Sequence, residues 1–262
     1  MNLQSILART AARIGLPLLE KLRQRSIWWS LGLFPIQTRV QLEQLSIGGC
    51  TLRLQMPLGE QDRQQREIQH LHLDDPYQLR NIRGPVHSVI DIGANIGFFS
   101  LLARLHFPEA VIHCYEPNPA LLSIVRANTG ALRIEVHGEG VGAREMTAVM
   151  RCNGDTLEGA LVPATAGEGG IPIVPFATAL RRIGGSVDLL KMDCEGAEWD
   201  ILQDQASLQQ ARMIAMEYHL DGGPDRTLLK LLHTLKSAGF RIDALREAAN
   251  PLVGQLFAVR IS

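Results

Sequence analysis

The residues with chemical reach fall in four short stretches. Val89–Ser100 reads VIDIGANIGFFS, an apolar run into Gly93-x-x-x-Gly97 and then a helical pattern. Glycines let a backbone pass close to a ligand, and the helix start behind them offers free N–H groups. Val111–Pro119 reads VIHCYEPNP, with Glu116 closing its apolar run 19 residues after Gly97. An acid at a strand end with that spacing can accept both hydroxyls of a ribose, and Pro117 and Asn118 would then flank the base. His137–Ala143 reads HGEGVGA, a tight turn in which the backbone around Val141 can face the edge of a base. Asp188–Leu202 reads DLLKMDCEGAEWDIL, where Asp193 closes a strand-like run and Glu195 and Glu198 open a helix, a position its dipole favours for negative charge. Lys191 lies inside that run and needs a buried partner; a nearby carboxylate is expected.

The glycine stretch argues against one ligand class. A dinucleotide fingerprint is G-x-G-x-x-G; with Gly93 as its middle glycine, the outer positions hold Asp91 and Ile96. A pyrophosphate would be repelled by Asp91, whereas a sulfonium or ammonium would be attracted. This favours S-adenosylmethionine over NAD. Methyl transfer from a sulfonium is an in-line displacement, so the protein must hold donor and acceptor at attack distance and exclude water. A hydroxyl acceptor must also lose its proton, which calls for a base. His219 follows Glu217-Tyr218 at the end of a fifth strand, on the same sheet edge as Asp193, and is the first candidate. His137 and Asp155 are weaker ones. Asp193, Glu195 and Glu217 are the carboxylates that could converge on a metal, but no ligand spacing compels one and none is expected.

Short apolar runs position these residues. Ser88–Ile92, Val111–Tyr115, Ile134–His137, Val187–Met192 and Met213–Glu217 are apolar on both faces, the pattern of strands inside a parallel sheet, and they alternate with helical stretches. Phe240–Leu245 and Gln255–Ile261, separated by Asn250-Pro251 and Gly254, read as an antiparallel hairpin. The expected fold is an α/β doubly wound, Rossmann-like sheet of seven strands with the last one reversed. The Gly- and Pro-rich segment 147–174 reads as an insertion that adds edge strands or a substrate loop. Upstream, residues 38–56 alternate around Gly48-Gly49 as a hairpin does, and residues 60–83 are polar and helix-like. The chain therefore divides into an accessory segment, 1–76, and a catalytic domain, 77–262.

Composition sets the outer limits. The 262 residues carry 26 Lys and Arg against 27 Asp and Glu, a net charge of −1, without the positive excess of a general nucleic-acid binder. Within the first 34 residues Arg9, Arg13, Lys21, Arg23 and Arg25 stand against Glu20, a local +4, so the remainder carries −5. Two readings stay open for this basic helix, an interfacial anchor or a lid that packs on the main domain or a second subunit, which makes it the candidate homodimer surface. Its charges interrupt any signal-peptide pattern, and the sequence has no apolar run of ~18 residues. Cys50, Cys114, Cys152 and Cys194 form no C-x-x-C pair, so a reducing cytoplasm is the expected location.

Taken together, VIDIGANIGFFS, CYEPNP and DLLKMDCEGAEWDIL resemble the FkbM family of S-adenosylmethionine-dependent methyltransferases. The K-x-D-x-E-G-A-E element is the most specific of the three. The resemblance runs from about Tyr77 to the C-terminus. It implies the seven-stranded methyltransferase fold, S-adenosylmethionine as cofactor, and methyl transfer to a hydroxyl oxygen of a sugar or secondary metabolite. By resemblance Asp91, Gly93, Asn95, Gly97, Glu116 and Asp193 map onto cofactor-binding positions. Ala94 shares their loop, and Tyr77 stands where the family often has an aromatic residue. Asp193 and His219 are the expected catalytic pair. One departure is Arg144, which follows the GEGVGA turn where an acid is expected. A nicotinamide-dependent oxidoreductase and a non-catalytic scaffold on the same sheet are the alternatives.

Overall fold

The computed structural model describes residues 44–47, 50–152, 159–165, 170–248 and 250–261. The basic N-terminal helix, its expected role in dimerisation and the candidate base Asp155 lie outside these residues. The chain divides into two compact units at Leu54–Gln55. In the smaller, β1 (Gln44–Ile47) pairs antiparallel with β2 (Cys50–Arg53), and Ile47 opposes Cys50 on either side of Gly48-Gly49 in sequence, the expected hairpin.

The larger unit begins with α1 (Gln61–Gln69), which buries Gln64 and Ile68, and continues into a wide π-helical turn at His70–Asp74. The strand-helix alternation then starts. β3 (Ser88–Ile92) leads through the glycine loop to α2 (Phe98–His106), and β4 (Val111–Tyr115) leads to α3 (Pro119–Thr129). Asn118 caps α3 by accepting the Ala120 N–H, and Pro119 at the first helical position supplies a φ suited to a helix. After β5 (Ile134–His137) the chain leaves this sheet for β6 (Gly140–Gly142), β7 (Met146–Cys152), β8 (Gly159–Pro163) and β9 (Ile171–Pro175). It returns through α4 (Phe176–Arg182) and β10 (Val187–Met192). Two short helices, α5 (Glu198–Ile201) and α6 (Gln205–Leu208), precede β11 (Ala211–His219), and α7 (Leu228–Ser237), β12 (Phe240–Glu247) and β13 (Val253–Arg260) complete the chain.

The main sheet has the order β12-β13-β11-β10-β3-β4-β5. β10, β11, β3, β4 and β5 run parallel, and β13 lies antiparallel between β11 and β12. This is the seven-stranded α/β sheet expected from the sequence. The 147–174 segment does not extend that sheet. β7, β8 and β9 join β6 in a separate four-stranded sheet of order β6-β9-β7-β8, entered by the parallel pairing of Gly140–Gly142 with Ile173–Pro175.

The core explains the long apolar runs. Ile90 and Ile92, Leu190 and Met192, and Ile214 and Met216, from three adjacent central strands, are all buried. Phe176, Ala179 and Leu180 of α4 and Leu231 and Leu235 of α7 pack against them. Phe176 follows β9 directly, so its fully buried ring ties the four-stranded sheet to this core. Phe176→Ala is expected to cost about 3–5 kcal/mol, measurable as a lowered urea midpoint with a cooperative transition.

Candidate active site

β3 pairs with β4 on one side and with β10 on the other, so the loops after these strands bracket a crevice at the carboxyl ends of the sheet. Gly93 is the pivot of its first wall. Its φ is +79°, and a Cβ placed there would lie 1.7 Å from the Asp193 carbonyl oxygen, so no side chain fits. The Gly93 and Ala94 N–H groups both donate to the Tyr115 carbonyl at 3.0 Å.

Glu116 closes the second wall. Its Oε2 accepts the Asn95 N–H and its Oε1 the Asn118 N–H, each at 2.7 Å. One carboxylate thus joins the glycine loop to the cap of α3. Burial pushes its pKa up to about 7 against the pull of those two N–H donors. Between the walls lies a partly open cleft with a cavity volume of about 100 Å³. Gly93, Asn95, Glu116, Pro117, Asn118, Val141 and Asp193 line it, all named from the sequence. Leu121, Met150, Leu161 and Cys194 also line it and were not anticipated. Leu161 belongs to the four-stranded sheet, whose folding over the cleft has no local sequence signature.

Lys191 holds the floor. The parallel register sets Lys191 beside Asp91, and its Nζ lies 3.2 Å from Asp91 Oδ1 and 3.7 Å from Asp193 Oδ2. Nζ also donates to the Gly93 carbonyl at 2.6 Å. Burial disfavours the ammonium, but Asp91 and Asp193 outweigh it and raise Lys191 above the usual lysine range. Asp91 is fully buried and also accepts from Ser100 Oγ at 2.7 Å. It does not line the cleft, and Lys191 links it to Asp193, which does. Gly97 is likewise beneath the surface: at φ +87°, a Cβ would lie 2.8 Å from Thr129 Cγ2, so its glycine serves the packing of α2 on α3.

Tyr77 is placed behind the cleft. Its hydroxyl donates to Asp193 Oδ2 at 3.0 Å while its ring meets Phe99 edge-on. With Glu67, Ala94, Phe99 and Lys191 it borders a smaller adjoining cavity. Burial, followed by the charge of Asp193, raises the Glu67 pKa. The sequence offered no signal for Glu67, which lies in a polar helix far from every motif.

His219 ends β11 among carboxylates. Its Nδ1 lies 3.4 Å from Glu198 Oε1, and its Nε2 lies 3.6 Å from Glu195 Oε2 and 3.7 Å from Glu217 Oε1. Burial opposes charge on the ring, but Glu198, Glu195 and Asp193 outweigh it and push the pKa up to about 9. The ring therefore carries a proton at neutral pH, and acting as a base requires that proton to leave first. Burial and then Asp193 push Glu217 up to about 7. His137, the weaker base candidate, instead stacks on Tyr115 beside His113 and Glu135.

Fold and site together define a methyltransferase-type α/β domain, with a small-molecule cleft at the switch point of its sheet. The Methyltransferase FkbM domain profile matches residues 91–242, and the chain belongs to that family. It carries a methyltransferase domain, and the cofactor expected from the sequence, S-adenosylmethionine, holds. This decides against the nicotinamide alternative. Among curated proteins the chain is 28% identical over 227 residues to the AMB antimetabolite synthetase AmbE of Pseudomonas aeruginosa, covering 69% of this chain and 11% of that much longer protein. It is 25% identical over 197 residues to the 31-O-demethyl-FK506 methyltransferase FkbM of Streptomyces tacrolimicus, covering 61% of this chain and 75% of the relative. Among solved structures it is similar to an FkbM methyltransferase from Methylobacillus flagellatus, at 19% identity and a TM-score of 0.45, covering 73% of this chain and 52% of that one.

The floor makes a direct prediction. Lys191→Met leaves Asp91 and Asp193 facing each other without their shared cation. We expect a loss of about 3–5 kcal/mol, read as a lowered thermal midpoint. Lys191→Arg, which keeps the charge, should recover part of that loss.

Proposed function

We propose that this protein transfers the methyl group of S-adenosylmethionine to a hydroxyl oxygen of a sugar or secondary metabolite. The observation that carries the reading is the placement of Glu116, a buried carboxylate set in the cleft wall opposite Asp193 and fixed by two backbone donors. In this reading Glu116 accepts the ribose hydroxyls. Pro117, Asn118, Leu121 and Val141 form the slot for adenine. Gly93, Ala94 and Asn95 approach the methionine end, with Asp193 held by Tyr77 and Lys191 near its cationic groups. Asp91 and Gly97 support the site from below.

The acceptor enters from the larger cleft that adjoins at Val141, Leu161 and Cys194–Ala197. Ala143, Arg144, Met146, Pro163, Asp200 and Arg226 line it, a mixed polar and apolar surface suited to a hydroxylated small molecule. Oxygen as the acceptor atom rests on the relative named as a methyltransferase of 31-O-demethyl-FK506. The hydroxyl proton leaves to the group at the Asp193 edge, where His219 and Glu217 stand 3.7 Å apart. Among the described residues no helix is long and apolar enough to cross a membrane. Among the described residues the thiols of Cys114 and Cys194 are free.

Calorimetric titration with S-adenosylhomocysteine tests the cofactor geometry. Hydroxyl donors bind an ionised carboxylate better than a protonated one, and Glu116 ionises with a pKa of about 7. Affinity should therefore rise between pH 6 and pH 8. Glu116→Ala should bind at least about tenfold more weakly, the loss of roughly one charge-assisted hydrogen bond, and should lose that pH dependence. An unchanged affinity would remove Glu116 from the ribose role. Screening hydroxylated sugars and metabolites for methyl transfer tests the acceptor class. Transfer only to nitrogen or carbon acceptors would overturn it.

A further inference from the structure

At the far end of the cleft Asp193, Glu195 and His219 each offer one ligand atom, and these atoms all lie within 4.8 Å of one another. Three features set this group apart from a solvated acidic patch. First, one member is an imidazole that is only 7% exposed, and its ring faces the carboxylates from the end of β11. Its Nε2 contacts to Glu195 and Glu217, at 3.6 and 3.7 Å, are too long for good hydrogen bonds. Second, the far side of that ring faces a prepared carboxylate. Glu198 is fully buried and accepts the Cys194 N–H at 2.7 Å and the Gly196 N–H at 2.9 Å, so it is fixed beside Nδ1. A carboxylate behind one ring nitrogen, orienting the other toward a metal, is the usual surrounding of a ligating histidine. Third, Asp193 is oriented through one oxygen. Tyr77 and Lys191 both approach Oδ2, which leaves Oδ1 for another partner.

We propose that Asp193, Glu195 and His219 Nε2 bind a divalent cation, with Glu198 as the positioning residue behind the ring. Two carboxylates and one imidazole suit a cation of Mn²⁺ type, which accepts both oxygen and imidazole ligands. Asp193 and Glu195 line the cleft, so a cation held by them adjoins it. This departs from the sequence, where no spacing compelled a metal, because the three ligands come from two strand ends brought together only by the β10–β11 pairing.

The role of the cation rests on the methyl-transfer reading, whereas the binding site does not. With an acceptor hydroxyl on the cation, its proton is lost more readily and passes to a neighbouring carboxylate. The oxygen lone pair then forms the new C–O bond as the C–S bond breaks. The sulfur keeps that electron pair and becomes the neutral thioether of S-adenosylhomocysteine.

The test is a titration of the metal-stripped full chain with Mn²⁺ alone, followed by the electron spin resonance signal of the free ion. One ion per chain is expected, with a dissociation constant below about 1 mM. Glu195→Gln and His219→Gln should each weaken it by about tenfold or more. The Glu195 side chain is 47% exposed, so its variant keeps the fold. Glu135→Gln alters the separate His113–Glu135–His137 cluster and should leave the titration unchanged. Absence of stoichiometric binding, equal binding by the Glu195 and His219 variants, or loss of binding in Glu135→Gln would each overturn the site. S-adenosylhomocysteine affinity is measured on the same samples. Mn²⁺ bound without it supports the site and strikes only the methyl-transfer role, whereas S-adenosylhomocysteine bound without Mn²⁺ overturns the site and leaves methyl transfer standing.

Discussion

The buried ammonium of Lys191 is the constraint on which the site is built. Taking one cation and one carboxylate out of water costs several kcal/mol each, and their attraction offsets this only with good geometry and further hydrogen bonds. The parallel register of β3 and β10 supplies that geometry, because it sets Lys191 directly beside Asp91. Ser100 satisfies one oxygen of Asp91, and the Gly93 carbonyl takes a proton of Lys191. Lys191 thereby joins both crevice-forming loops, the glycine turn through its carbonyl and Asp193 through charge. A neutral residue at position 191 would keep the strand and lose that link.

The second organising effect is an excess of negative charge. Asp193, Glu195, Glu217 and Glu67 gather around the strand ends, with Lys191 and His219 as the cations set against them. The effect is visible in how burial and Asp193 together raise the pKa of Glu217 and Glu67. Like charges are held this close only where the fold forces them. The arrangement is preorganised for a positively charged guest, such as a sulfonium.

Legibility in the sequence followed the range of the interactions. Strands buried on both faces leave continuous apolar runs, and Ser88–Ile92, Val111–Tyr115, Ile134–His137 and Val187–Met192 fall where those runs are. The cleft residues of one short loop, such as Gly93 and Asn95, or of one strand end, such as Glu116 and Asn118, were equally readable. Their types are dictated by local backbone geometry and ligand chemistry. The four-stranded sheet was not readable as such. Its segment is rich in glycine and proline, and the pairing of Gly140–Gly142 with Ile173–Pro175 spans some thirty residues.

What the sequence alone determined is the sheet, the family and the loops that end its first, second and fourth parallel strands, because each is written in contiguous residues. What only the tertiary structure decided is which side chains meet. Asp91 faces Lys191, Tyr77 grips Asp193 from 116 positions away, and His219 gathers Glu195, Glu198 and Glu217 around its ring. The physical reason is that strand register brings together residues far apart in sequence, and burial then changes what their charges can do.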